Sequence, residues 1–179
     1  RNSMAMLNQE AASFYQNQLE GEAGKQAKRY LNDRQVSLNS IARYRIGYAP
    51  ASGLYSFLQA KGFKPDDMLA AGLVRKSPRD DRLYDNFRHR LMFPIANPRG
   101  DIIAFGGRAL DGDQEPKYLN SADSPMFHKK QVLYGLKQAR EQSKDKLPII
   151  VAEGYMDVIA IDQFKVAGGI KTTCFRPID

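Results

Sequence analysis

Leu91-Met92-Phe93-Pro94-Ile95 and Asp101-Ile102-Ile103-Ala104-Phe105 are two short apolar runs on either side of Asn97-Pro98-Arg99-Gly100. Apolar runs flanking a turn rich in proline and glycine predict a β-hairpin. Pro94 has no N–H to give a ladder, so it predicts an edge strand or a bulge. Toward the N-terminus the pattern becomes helical. Leu7, Ala11, Phe14 and Tyr15, then Gln18 and Leu19, recur at three-to-four spacing, and Ala23, Ala27, Tyr30 and Leu31 repeat it. Ser37 is placed to cap a short helix carrying Leu38, Ile41 and Ala42. Ser52 to Ala60, closed by Gly62, is a further helix, and Pro65-Asp66-Asp67 opens another that Gly72 closes. Proline costs nothing in a first turn, and the aspartates complement the helix dipole. Toward the C-terminus, Val132 to Gln142 reads as helix, Leu147 to Val151 as a short buried strand and Tyr155 to Phe164 as the helix after it. A mixed helical and antiparallel module therefore meets, near residue 145, the start of a strand-then-helix α/β unit.

The chain has 179 residues, enough for one sizeable core, and no apolar run approaches the roughly 20 residues that span a bilayer. Residues 1–5 lack the apolar stretch of a signal peptide and read as a remnant ahead of Met4 or a disordered segment. The single Cys174 excludes a disulfide framework, and with only His89 and His128 no zinc site can be assembled. The cell interior, a cytoplasmic location, is the expectation. Lys and Arg number 27 against 20 Asp and Glu, a net charge of +7. Such an excess favours a polyanionic partner, since each neutralised phosphate releases counterions.

Two constellations can carry chemistry. Ile149-Ile150-Val151 leads through Ala152 to Glu153-Gly154-Tyr155-Met156-Asp157. A carboxylate at the carboxyl end of an α/β strand sits where such sheets form a ligand crevice. Glu153 and Asp157, four apart, can share a face and offer Mg²⁺ or Mn²⁺ two hard oxygen donors. The plainer alternative makes Glu153 a helix-start acid and Asp157 a solvated residue. The second constellation is basic: six cations and one acid, Asp33, lie between Lys25 and Tyr48. Arg88, Arg90, Arg108, Lys117 and His128-Lys129-Lys130 follow, interleaved with Tyr30, Tyr44, Tyr48, Phe87, Phe105, Tyr118 and Phe127. Cations tracking a backbone and rings stacking bases suit a single strand, although such rings equally make a core. Gly106-Gly107-Arg108 tips the balance, because two glycines let a main chain approach a ligand beside a guanidinium. Asp111-Gly112-Asp113 reads as a solvated turn, Cys174 as inert, and Gly168-Gly169 lacks phosphate-loop spacing.

Several blocks in order resemble the RNA polymerase core of bacterial DnaG-type DNA primases: Tyr84-Asp85-Asn86-Phe87-Arg88-His89-Arg90-Leu91-Met92-Phe93-Pro94-Ile95, Phe105-Gly106-Gly107-Arg108, Pro116-Lys117-Tyr118-Leu119-Asn120-Ser121, Phe127-His128-Lys129, Leu133-Tyr134-Gly135 and Glu153-Gly154-Tyr155-Met156-Asp157-Val158. The resemblance runs from about Leu7 to Phe164. It implies a primase core subdomain over 6–145, the start of a Toprim α/β fold over 146–167 and an atypical tail over 168–179. It implies synthesis of short RNA primers on a single-stranded DNA template from ribonucleoside triphosphates, with Mg²⁺ or Mn²⁺. A replicative helicase and single-strand-binding protein are the parent protein's expected partners. Glu153 matches the catalytic Toprim glutamate and Asp157 a nearby metal-site acid. Arg43, Arg88, Arg108, Lys117, Tyr118 and Lys129 fall on the surface that handles nucleic acid and nucleotide. At Asn86 many relatives carry arginine. The family's two further acid motifs have no match before Asp179 and its zinc-binding domain none in this chain, so the expectation is an inactive piece of a primase. The alternatives are a non-catalytic single-strand-binding module, or another Toprim enzyme such as a topoisomerase or nuclease.

Overall fold

The hairpin at the centre of the sequence is also the centre of the fold. In the computed structural model, which describes residues 2–142, 149–164 and 172–174, helices α1 (Asn2–Glu20), α2 (Lys25–Asp33) and α3 (Leu38–Tyr44) lead into strand β1 (Gly47–Ala49). Helices α4 (Leu54–Ala60) and α5 (Pro65–Ala70) follow, then strands β2 (Val74–Lys76), β3 (Leu83–Asp85), β4 (Arg90–Ala96), β5 (Ile102–Ala109) and β6 (Tyr118–Asn120). Helix α6 (Leu136–Gln142), strand β7 (Ile149–Val151), helix α7 (Tyr155–Phe164) and strand β8 (Thr172–Cys174) complete the order. β1, β4, β5 and β6 form an antiparallel sheet in that order, β2 and β3 a separate hairpin, and β7 pairs with β8 in parallel.

Helices cover both faces of the four-stranded sheet. Leu91, Phe93 and Ile95 alternate onto one face with Tyr44, Tyr134 and Tyr155, while Met92 and Phe105 point to the other with Phe14, Tyr15, Leu54 and Phe87. A sheet buried on both sides explains the unbroken apolar runs that the sequence shows. Pro94 pairs with Phe105, and the β1 ladder stops at Met92, so the missing N–H falls where β4 has a sheet partner on one side only among the described residues. Ile95 faces Ala104 and Ala96 faces Ile102, which leaves Ile103 as a bulge residue. The buried Asn8 amide donates to the Ile102 carbonyl there, at 3.1 Å. Buried Asp85 does a helix cap's work from β3: its carboxylate accepts from the backbone N–H groups of Leu54 and Tyr55, each at 2.9 Å.

Several sequence expectations need correction. Residues 2–5 are the first turn of α1 rather than a disordered segment. Ser37 does cap α3, accepting from Ser40 N–H, but Leu38 is 82% exposed and the helix buries Ser40 and Tyr44 instead. The last helix before residue 143 begins at Leu136 rather than Val132, because Gly135 takes a left-handed φ of +82° that closes the preceding turn. Val151, expected in a buried strand, is 67% exposed. In the tail, 172–174 form β8; the rest of 168–179 and the expected boundary at 145 lie outside the described residues, as do Leu147 and Pro148.

Candidate nucleic-acid interface

β6 is an edge strand, and its register fixes what it presents. Tyr118 lies opposite Arg108, and Arg108 opposite Leu91, so all three share one face. The Arg108 Nε–H donates to the Tyr118 hydroxyl at 3.2 Å, and the guanidinium carbon lies 5.8 Å from the Tyr118 ring centre and 4.4 Å from that of Tyr30. Arg34 approaches the same Tyr30 ring at 4.7 Å. Burial raises the Tyr30 phenol pKa against the opposing pull of Arg108 and Arg34. Tyr30 is thus occupied by two cations, whereas Tyr118 is 39% exposed. Lys117 precedes it, exposed and without an ion pair among the described residues. The other expected stacking rings, Tyr44, Tyr48, Phe87, Phe105 and Phe127, are all core. Tyr118 is the ring of that set that can take a base.

The glycines beside Arg108 do not bring the main chain to a ligand. A Cβ on Gly106 would collide with the Tyr155 ring and hydroxyl, and one on Gly107 with Phe87, 2.9 Å away, and Arg90. Both spaces belong to the protein's own side chains. Tyr155 lies stacked on Phe93, with ring centres 4.8 Å apart and planes 5° from parallel, and meets Tyr134 edge-on. Its hydroxyl donates to Asn120 Oδ1 at 2.7 Å, and its ring is 6.3 Å from that of Tyr118. Burial drives the Tyr155 phenol pKa far above its usual value, with Tyr118 adding to the shift. Sequence reasoning placed Tyr155 only as a helix start; its role shows once β4–β6 and α7 meet.

Tyr155 lies between the two acids in the sequence. Glu153 and Gly154 precede it directly, at the carboxyl end of β7. Glu153 and Asp157 are both exposed. The Asp157 carboxylate turns back toward the helix start, its Oδ2 only 3.0 Å from where a Gly154 Cβ would stand. Among the described residues no group of three or more Asp, Glu, His or Cys side chains gathers to hold a metal ion. The far end of α7 is fastened separately. Gln163 Oε1 accepts from Ser37 N–H at 2.7 Å and Ser40 hydroxyl at 2.9 Å, and its amide donates to the Gln35 carbonyl at 2.6 Å.

The remaining basic residues scatter. Arg43 is held inside the helical layer: Nε pairs with Asp162 at 3.1 Å, another nitrogen donates to the Gln138 carbonyl at 3.1 Å, and a third lies 3.6 Å from Glu141. Arg90, which is buried, donates to the Pro116 carbonyl at 2.7 Å and so sets the loop that leads to Lys117. Arg88 is exposed, stacked 5.1 Å over Tyr84 and away from Arg108. Lys129 is in a short 3₁₀ turn, where its backbone N–H donates to Asp123 Oδ1 at 3.0 Å and lowers that carboxyl's pKa. Asp111 accepts from the Gln26 amide at 3.0 Å in an exposed loop.

Comparison with known proteins places this arrangement. Residues 14–140 match the family model of the DNA primase catalytic core, N-terminal domain. A DNA primase of Neisseria meningitidis serogroup A is 48% identical over 160 residues, covering 89% of this chain and 26% of that protein. The chain thus spans about a quarter of the length of the curated relatives it matches. Among solved structures, a DnaG primase catalytic domain bound to single-stranded DNA superposes with a TM-score of 0.86 at 37% identity, over 99% of this chain and 54% of that one. The RNA polymerase domain of the Mycobacterium tuberculosis primase gives 0.89 at 30% identity, over 98% and 56%. Among the described residues, no helix is long and apolar enough to cross a membrane.

Proposed function

The chain belongs to the family of the DNA primase catalytic core, N-terminal domain, and from that premise we propose that it is the template-handling part of a bacterial-type primase, joined to the first acids of its Toprim site. The observation that carries this reading is Tyr155. It fills the space over Gly106, bonds Asn120 on β6, and so seats the Glu153 strand end beside the edge that presents Arg108, Lys117 and Tyr118. The single-stranded DNA named in a relative's structure fits this edge. Arg108 and Lys117 neutralise backbone phosphates, and Tyr118 stacks a base. Arg43 serves by holding α3 against α6 and α7 rather than by touching the strand.

Glu153 and Asp157 fit part of a divalent-ion site, since two carboxylates completed by water and phosphate oxygens suit Mg²⁺ or Mn²⁺. Such an ion would offset charge at the α-phosphate of an incoming ribonucleoside triphosphate. Two carboxylates are too few for a two-ion site, and on this reading the isolated chain makes no primers. The longer protein would meet helicase and single-strand-binding protein in the cytoplasm. Glu153→Gln in a full-length primase carrying this segment tests the reading: primer synthesis falls by about a hundredfold or more while single-strand affinity stays within twofold. Unchanged synthesis would favour a non-catalytic binding module, and robust primers from the isolated chain with Mg²⁺ or Mn²⁺ would refute its inactivity.

A further inference from the structure

Gln163 is half-buried near the end of α7, about 9 Å of helix beyond Asp157. Its side chain reaches across the sequence to one short turn. Oε1 accepts from the Ser37 N–H at 2.7 Å and the Ser40 hydroxyl at 2.9 Å, and the amide nitrogen donates to the Gln35 carbonyl at 2.6 Å. The turn is shaped to receive it. Gln35 takes a left-handed φ of +56°, a conformation that strains a residue with a Cβ. Its N–H bonds the Asn32 carbonyl at 2.8 Å and the Val36 N–H bonds that of Leu31 at 3.0 Å, which closes α2. Gln35 lies past the end of α2, so its carbonyl has no place in that helix's ladder. Ser37 is meanwhile the cap of α3, accepting from the Ser40 N–H at 3.1 Å. One glutamine therefore holds both the close of α2 and the opening of α3.

The other contacts of α7 set its place better than its angle. Tyr155, Val158 and Ile159 are its buried residues, and apolar burial is non-directional, so it resists separation more than rolling. Direction comes from hydrogen bonds: the Tyr155 hydroxyl to Asn120 at the start, and Arg43 to Asp162 and the three bonds of Gln163 at the end. Positions 155 and 163 stand about 80° apart around a helix, so ties at the two fix the roll as well as the axis. The turn that Gln163 grips follows the helix carrying Tyr30, on which Arg108 and Arg34 lie. Two of its three bonds are exposed, so water replaces them when the glutamine is lost and the fold survives.

We propose that Gln163 is a positioning residue for Glu153 and Asp157: by fixing the roll of α7 against the α2–α3 turn, it sets where the two carboxylates meet a divalent ion. The proposal rests on the metal-site reading given above. The test uses a full-length primase carrying this segment, as wild type, Gln163→Met, Glu153→Gln and Leu58→Ala. Gln163→Met keeps a long side chain and removes the three bonds. Leu58→Ala opens the core on the other side of the sheet and serves as a variant that is merely less stable. Mn²⁺ affinity is read by titration calorimetry, primer synthesis as a function of Mg²⁺, and oligothymidylate affinity by fluorescence anisotropy. Gln163→Met weakens Mn²⁺ binding and raises the half-saturating Mg²⁺ by about tenfold, while oligothymidylate affinity stays within about twofold. Leu58→Ala unfolds at lower urea with Mn²⁺ affinity unchanged. Wild-type Mn²⁺ affinity in Gln163→Met overturns the proposal, and so does a loss no larger than that of Leu58→Ala, which would make the glutamine a tie for the fold alone. If Glu153→Gln binds Mn²⁺ and makes primers as wild type does, the metal-site reading fails and this proposal with it. A loss in Glu153→Gln with none in Gln163→Met sinks the positioning role and spares that reading.

Discussion

The β5–β6 edge and the start of α7 are built on opposite plans. The first sits on a sheet packed on both faces, and its cations are set by register: Arg108 opposite Tyr118, with Tyr30 beneath the guanidinium. The second ends a three-residue strand whose Val151 is open to solvent, and its carboxylates are exposed. What joins them is one aromatic side chain in a space that a glycine leaves free. Rigidity at the β5–β6 edge is therefore intrinsic to the sheet, whereas the start of α7 borrows its own from Tyr155 and from the Arg43 and Gln163 ties at the other end of the helix.

The largest expected effect comes from cutting that link. Tyr155→Ala removes a buried ring stacked on Phe93 and the hydrogen bond its hydroxyl gives Asn120, for a loss of about 3–5 kcal/mol in urea unfolding. In a full-length primase carrying this segment, it lowers primer synthesis more than single-strand binding. Equal losses in both would mean that the acids are not separately positioned and would break the contrast. A smaller effect is expected at Arg43→Ala, which takes the guanidinium away from the nearly buried Asp162 carboxylate. Stability falls by about 2 kcal/mol, while the salt slope of oligonucleotide binding matches wild type. A slope flattened as much as in Arg108→Ala would return Arg43 to the binding surface.

The sequence made the central hairpin legible because β4 and β5 are long enough to show unbroken apolar runs around a proline–glycine turn. β1, β2, β3 and β6 have three residues each, too few for a period to register, and their pairing is decided by tertiary contact. The acids at 153 and 157 were visible as a strand end followed by a helix. Composition could not separate the cations: half-buried Arg43 is spent on Asp162 and Gln138 and buried Arg90 on main-chain carbonyls, Arg108 and Lys117 face outward, and spacing is silent on the difference. Gly106-Gly107 misled for a physical reason. A glycine pair marks a close approach, but only the fold reveals that what approaches is Tyr155 on one face and Phe87 on the other.

The most direct measurement is a map of backbone amide shifts as the ¹⁵N-labelled chain is titrated with oligothymidylate. The account predicts perturbation at Arg108, Lys117, Tyr118 and Asn120 together with Glu153, Gly154 and Tyr155, and quiet amides at Arg43 and Asp162. Shifts that spare 117–120 and 153–155, or that gather around Arg43, would contradict it.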